Sequence, residues 1–315
     1  MGIGEWAALG AAILWTFSSL LWGRVQLTAV GINLLKNYFA CIFIAIQVLV
    51  VFLVTENFQL TATPQAWGWL ALSGIVGIVI GDTFFFRSLQ ILGPRRALMM
   101  ATTSPLFTAV LGWLFLHESL RLFAMIGIVI TVLGVVVVVA DRRARSESPG
   151  LFPGDSKYGI AFGCLGAFCQ ASGAVLARKG LAESEALEST FIRLFVAGIA
   201  MTVVVLCQRK FREIIKKAIN WTVLKFLVPA TAIGTWMGIW LSQISNKESS
   251  SAAIAVTLMS TCPIFAIPVI WIFNGHRASW LAMAGSLVAI VGITMAVSRP
   301  EDTELWMNGL QSWLK

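Results

Sequence analysis

Charged side chains inside otherwise apolar stretches of this sequence include Lys36, Asp82, Arg87 and Arg193. A carboxylate at bilayer mid-depth costs about 2.5–3.5 kcal/mol on insertion scales, so such a group is kept for pairing, proton binding or ligand recognition. Asp82 lies in Gly81-Asp82-Thr83-Phe84-Phe85-Phe86, roughly 4 Å from the middle of its apolar stretch at the helical rise. Two chemistries fit it. Either it binds a proton or a cationic group in a central cavity, or it forms a structural ion pair with Lys36, Arg87 or Arg193. Lys36 and Arg193 stand near the starts of their stretches, where long cationic side chains snorkel to headgroups. The alternative is that one of them faces a cavity and holds a carboxylate. Arg87, one to two turns past Asp82, suits an interfacial place as well as pairing.

Polar groups at similar depth, Ser104, Gln170, Gln243 and Ser260, are natural hydrogen-bond partners for a small ligand. Trp236 and Trp240 fall inside an apolar stretch rather than at its ends. With Trp15 and Phe168 they either line an aromatic cavity or face lipid and neighbouring helices. Enzymatic signatures are missing from the sequence. Its two histidines are His117 and His276, and it has no HExxH, no Walker A loop, no GxSxG elbow and no pair of intramembrane carboxylates. Cys41, Cys164, Cys169, Cys207 and Cys262 fall in apolar stretches without a CxxC pair and read as core thiols. No catalytic residue, metal site or cofactor is expected.

These groups must be positioned by apolar helices. The 315 residues are 58% hydrophobic and 12% charged, with mean hydropathy +0.84, against about a quarter charged in soluble domains. The net charge of +8 sits mostly between apolar stretches, where anionic lipid headgroups rather than nucleic acid are the partner. Ten apolar segments can be read, near 6–22, 30–54, 67–92, 97–116, 122–140, 158–176, 191–207, 224–244, 250–273 and 280–297. No period-2 alternation suggests a β-barrel. The expected fold is an all-α polytopic membrane protein of ten transmembrane helices. The start, Met-Gly-Ile-Gly-Glu-Trp, has no positive n-region, so a cleaved signal peptide is not expected. Residues 211–219 read as a basic amphipathic surface helix, and the tail 299–315 as interfacial.

The basic linker 141–157 divides the chain into halves 1–140 and 158–298 that align with each other. An offset of 158 pairs Pro105 with Pro263, Phe107 with Phe265, Met125 with Met283, Gly127 with Gly285 and Gly134 with Gly292. An offset of 157 pairs Gly77 and Gly81 with Gly234 and Gly238, and Lys36 with Arg193. An offset of 153 pairs Gly10 with Gly163, Trp15 with Phe168 and Ser19 with Ser172. Asp82 pairs with Ile239, so any charge site is asymmetric. The glycines read as close helix crossings, and Pro105 and Pro263 as kinks or openings of the backbone ladder. An odd number of spans per unit forces the second unit to lie inverted, the architecture of carriers that rock two halves about a central site.

Within each half, a proline-bearing helix, a polar turn and a Gly-x6-Gly helix follow one another. The first half reads Gly93-Pro94-Arg95-Arg96-Ala97, Ser104-Pro105, His117-Glu118-Ser119-Leu120, Gly127 and Gly134; the second turn reads Gly275-His276-Arg277-Ala278. This order resembles the EamA-type repeat of the drug/metabolite transporter superfamily, over nearly the whole chain. The resemblance implies two inverted five-helix repeats forming a permease, more often an exporter, for small organic metabolites or drug-like solutes. Alternating access around segments 1, 3, 4, 6, 8 and 9, with Asp82 coupling a proton or recognising the solute, is the expected mechanism; an uncoupled facilitator, a channel or a membrane-embedded enzyme are the alternatives. The expected place is a bacterial inner membrane, as monomer or homodimer. Odd-numbered connections carry 13 Lys/Arg and the even ones with both tails six, which puts the termini outside by the positive-inside rule; the resemblance implies termini inside.

Overall fold

The computed structural model describes residues 2–55, 61–118, 120–140, 156–262, 264–265 and 280–297. Among these, every regular element is helical. In chain order the helices are α1 (Ile3–Trp22), α2 (Ala29–Thr55), α3 (Pro64–Leu92), α4 (Pro94–Ala101), α5 (Ser104–Leu116), α6 (Leu122–Ala140), α7 (Ser156–Leu181), α8 (Ala186–Cys207), α9 (Phe211–Ala218), α10 (Trp221–Glu248), α11 (Ala252–Met259) and α12 (Trp280–Val297). Six of them, α1, α2, α3, α7, α8 and α10, are long and apolar enough to cross a bilayer. Leu49, Phe52, Leu53, Trp113, Phe115 and Leu287 are among many large apolar side chains left exposed on the outside. That much apolar surface needs lipid around it, and the chain is an integral multi-pass membrane protein.

α3 and α10 are not uniform α-helices. Each widens in the middle into a π-helical stretch, Gly74–Gly81 in α3 and Thr231–Met237 in α10. The Asp82 amide therefore reaches back five residues to the Gly77 carbonyl. Carbonyls freed by the wider turn need other donors. Asn33 of α2, fully buried, donates its side-chain amide to Ile78 O at 2.9 Å and Val79 O at 3.1 Å. In α10 the donor comes from α1: Trp15 Nε1 reaches Gly234 O at 2.8 Å. The two stretches start 157 residues apart, the spacing of the glycine pairs.

Small residues let these helices approach. A Cβ on Gly173 of α7 would stand 2.8 Å from the Cα of Gly77, and one on Gly238 of α10 would stand 2.5 Å from Trp15 Nε1. The densest crossing joins α6 and α12. A Cβ on Gly127 would lie 2.7 Å from Gly292 O, and one on Gly134 2.7 Å from Gly285 O. The order of these contacts makes α6 and α12 antiparallel.

The fourth apolar segment departs from a single kinked helix. The chain breaks at Thr102 and Thr103 and restarts as α5. Pro105 occupies the first turn of that new helix, where a missing N–H costs nothing, so it starts a helix rather than bending one. Pro263, the second polar turn, linker residues 141–155 and the tail 299–315 lie outside the described residues. The basic segment after α8 does form a short surface helix, α9. Its Ile214 and Ala218 are buried, and Glu213 and Lys217 pair outside at 2.7 Å.

Candidate functional site

The helices enclose a central cavity of about 220 Å3. Its walls come from α1, α3, α4, α5, α7, α10, α11 and the turn after α11, as expected from segments 1, 3, 4, 6, 8 and 9. Lys36 of α2 and Arg193 of α8 reach into it as well. Of the residues singled out in the sequence, Trp15, Lys36, Asp82, Ser104, Gln170, Arg193, Gly234, Gln243 and Ser260 share this lining.

At its centre Lys36 Nζ stands 2.7 Å from Asp82 Oδ2. Lys36 is 2% exposed, which corrects the snorkelling reading: its side chain turns inward to the carboxylate of α3 instead of outward to headgroups. The second oxygen of Asp82 accepts a hydrogen bond from Gln170 Nε2 of α7. Beside the ammonium, Asn37 Oδ1 accepts at 3.4 Å, and Asn37 in turn donates to Asn33 at 3.1 Å. The π turn is what aims Asp82. One residue corresponds to about 100° around a helix, so without the extra residue the carboxylate would point away from α2. Arg87 is exposed, consistent with an interfacial place and not with the pair.

Arg193, the repeat mate of Lys36, is 6% exposed and packs its backbone against Gly74 of α3. Its guanidinium forms no ion pair among the described residues, and its Nε has no hydrogen-bond partner. Two further buried side-chain atoms are in the same condition, Ser104 Oγ and Asn246 Oδ1. All three belong to residues lining the cavity. Buried polar groups are normally satisfied, so their concentration in one place marks where a ligand or solvent supplies the partners.

A charged cluster packs behind Asn246, outside the cavity lining itself. Arg178 Nε of α7 lies 2.5 Å from Glu118 Oε1, and its Nη atoms donate to the carbonyls of Asn246 and Ser249. Glu118 also accepts from the Ala252 amide at 3.0 Å, capping α11. Gly4 of α1 presses on Ser249 at the same place, so five helix ends meet there.

Three aromatic candidates lie elsewhere. Phe168 is 44% exposed on the outer side of α7, edge-on to Phe107. Trp236 faces α2, donating to Gln47 Oε1 at 2.7 Å and packing on Phe43. Trp240 is half-buried without lining the cavity. Several cavity residues were not singled out in the sequence: Ser18, Thr235, Ser242 and Asn246, and the supporting Asn33 and Asn37; Ser19 was noted only as a repeat pair. The spacing Asn33-x-x-Lys36-Asn37 places three polar groups on one helical face, a signal sufficient to have found the latter pair.

The EamA-like transporter family matches residues 2–140 and 157–298. An uncharacterized transporter of Archaeoglobus fulgidus is 26% identical over 297 residues, covering 93% of this chain and 97% of its own. The uncharacterized transporter YyaM of Bacillus subtilis is 21% identical over 256 residues, 80% of each chain. A crystal structure of another protein superposes with TM-score 0.71 over 93% of this chain and 95% of its own, at 16% identity, a likeness of fold alone.

Proposed function

The chain belongs to the EamA-like transporter family, and from that membership of a membrane transporter family we propose a proton-coupled secondary carrier that exports small organic solutes by alternating access. The helices are read as ten spans in two inverted repeats, 1–140 and 158–298, in a bacterial inner membrane. Two features support the inversion. The repeat-related α6 and α12 cross antiparallel, and exchanging the halves maps the contact of Gly127 with Gly292 onto that of Gly285 with Gly134. The π stretches also recur at one offset. A cavity of about 220 Å3 is below the roughly 300–1,000 Å3 of drug-sized sites, which favours a metabolite over a bulky drug.

The observation that carries the coupling is the Lys36–Asp82 pair inside that cavity. Protonating Asp82, or giving Lys36 another anion, breaks a strong local interaction, so the pair can exchange a proton against a change of helix packing. Solute-stimulated proton flux in proteoliposomes, wild type beside Asp82→Asn, tests it. A folded Asp82→Asn that still moves solute but no protons supports coupling through Asp82. Equal proton flux in both refutes it. The same pair favours one second reading: with Asp82 satisfied by Lys36 and Gln170, an uncoupled facilitator needs it only as structure, and solute flux without proton flux in the wild type is that reading's signature.

A further inference from the structure

Arg193 is a buried cation with no ion pair among the described residues; Asp82, already held by Lys36, acts on it through space, and the internal repeat says where a carboxylate of its own belongs. Lys36, its repeat mate, is equally buried but has Asp82 at 2.7 Å. The offset of 157 that pairs Lys36 with Arg193 pairs Asp82 with Ile239. The first half supplies a carboxylate where the second supplies a hydrocarbon. Packing of α8 on α10 brings that hydrocarbon to the level of Arg193, whose Nη2 would lie 3.5 Å from a Cβ on Gly77 of α3. Lys247 of α10 donates to Ser184 O at 3.2 Å and pairs with Glu185 at 2.8 Å, while Ser189 of α8 donates to Gln243 of α10 at 3.1 Å. These contacts run antiparallel, and one further turn along each helix brings Arg193 level with Ile239. Both line the cavity.

Resting on the carrier reading above, we infer that the transported solute bears a carboxylate, which binds the Arg193 guanidinium beside Ile239, in the place that Asp82 fills in the first half. Lys36, Asp82 and Arg193 together leave one positive charge in the cavity, and a single carboxylate neutralises it. A planar guanidinium takes a carboxylate through two parallel N–H donors. Asn246 Oδ1, also without a partner, lies seven residues along α10 from Ile239, about 10 Å at the helical rise. It asks for an N–H or O–H donor on the same solute or a water held by it. The substrate class is therefore a small monoanionic carboxylate carrying a separate hydrogen-bond donor.

The test is ligand-dependent thermal unfolding and tryptophan-fluorescence titration of the full chain in neutral detergent at constant ionic strength. The probes are acetate, lactate, benzoate and phenylalanine, each beside its amide, with inorganic phosphate as a separate arm. At least one acid stabilises the wild type while its amide does not, and Arg193→Gln weakens that acid by about 10- to 100-fold, the range for one charged hydrogen-bonded pair. Ile239→Asp supplies the missing carboxylate from the chain, so it raises the unfolding temperature without ligand and loses the acid response. Should Arg193→Gln fail to fold, Ile239→Asp alone decides. Equal effects of acid and amide, no effect of any acid, phosphate acting more strongly than every acid, or an unchanged acid response in Ile239→Asp each overturn the inference. Acid binding at Arg193 without solute movement in vesicles would remove the carrier reading and leave this subsite standing.

Discussion

Breaking the Lys36–Asp82 pair from either side should cost far more than removing it whole, and the two sides should not cost the same. At 2.7 Å the gross Coulomb attraction is about 6 kcal/mol at an effective dielectric of about 20. Most of that is cancelled by the desolvation of the two ions, so the measurable quantity is what a single truncation leaves behind, about 3–5 kcal/mol for a buried charge without its partner. The structure orders the singles. Asp82→Asn leaves an ammonium that is 2% exposed with uncharged partners alone, Asn37 Oδ1 at 3.4 Å, the new amide oxygen and the Phe86 ring centroid at 6.0 Å. Lys36→Met strands a carboxylate that is 17% exposed to the cavity and still held by Gln170. Asp82→Asn should therefore be the more destabilising, near the upper end of that range, and Lys36→Met near or below the lower end. The double variant should return to within about 1–2 kcal/mol of wild type, since neither charge remains. Equilibrium unfolding in mixed micelles by added denaturing detergent provides all four free energies. Additive singles, or a Lys36→Met variant less stable than Asp82→Asn, would refute the reasoning.

Three further outcomes follow from the packing. Gly134→Val should prevent assembly, because even its Cβ would lie 2.4 Å from the Ala289 amide nitrogen; loss of the monodisperse peak in size-exclusion chromatography checks it. Trp236→Phe removes the hydrogen bond to Gln47 and should cost about 1 kcal/mol with solute binding unchanged, whereas Trp15→Phe, which frees Gly234 O inside the π stretch, should alter transport; parallel uptake and unfolding assays separate the two. Glu118→Gln weakens the Arg178 pair while keeping an acceptor for the Ala252 amide. Arg178 keeps the carbonyls of Asn246 and Ser249 as acceptors, so the stability cost should stay at about 1–3 kcal/mol, and labelling of a cysteine placed at Ser242 from the α11 end should accelerate.

The membrane class and the places of the long apolar helices were legible because they depend on apolar runs, which composition and hydropathy reveal. So was Asp82, since a lone carboxylate in an apolar run is conspicuous by its cost. The partner of Asp82 was legible only as one of three cations. Which cation wins depends on the direction of the side chain, and that direction is set by the π turn at Gly74–Gly81, which leaves no mark in hydropathy. The aromatics misled for a related reason: Trp236 and Trp240 have the depth of a cavity residue, and only the rotation of α10 about its axis turns Trp236 to α2 and keeps Trp240 off the cavity lining. The Glu118–Arg178 pair was hidden because its two halves are 60 residues apart and each reads alone as a loop charge.

The paired π stretches also carry a chronology. A π turn amounts to one residue too many in an α-helix. Under the duplication proposed here, finding it at matching positions in both halves is most simply explained by one insertion in an ancestral half-length gene, inherited by both copies when that gene doubled. The carboxylate that the turn aims is present in one copy and replaced by Ile239 in the other. The scaffold that directs a side chain inward is then older than the doubling, and the difference between a self-neutralised half and a half with an open charge is younger.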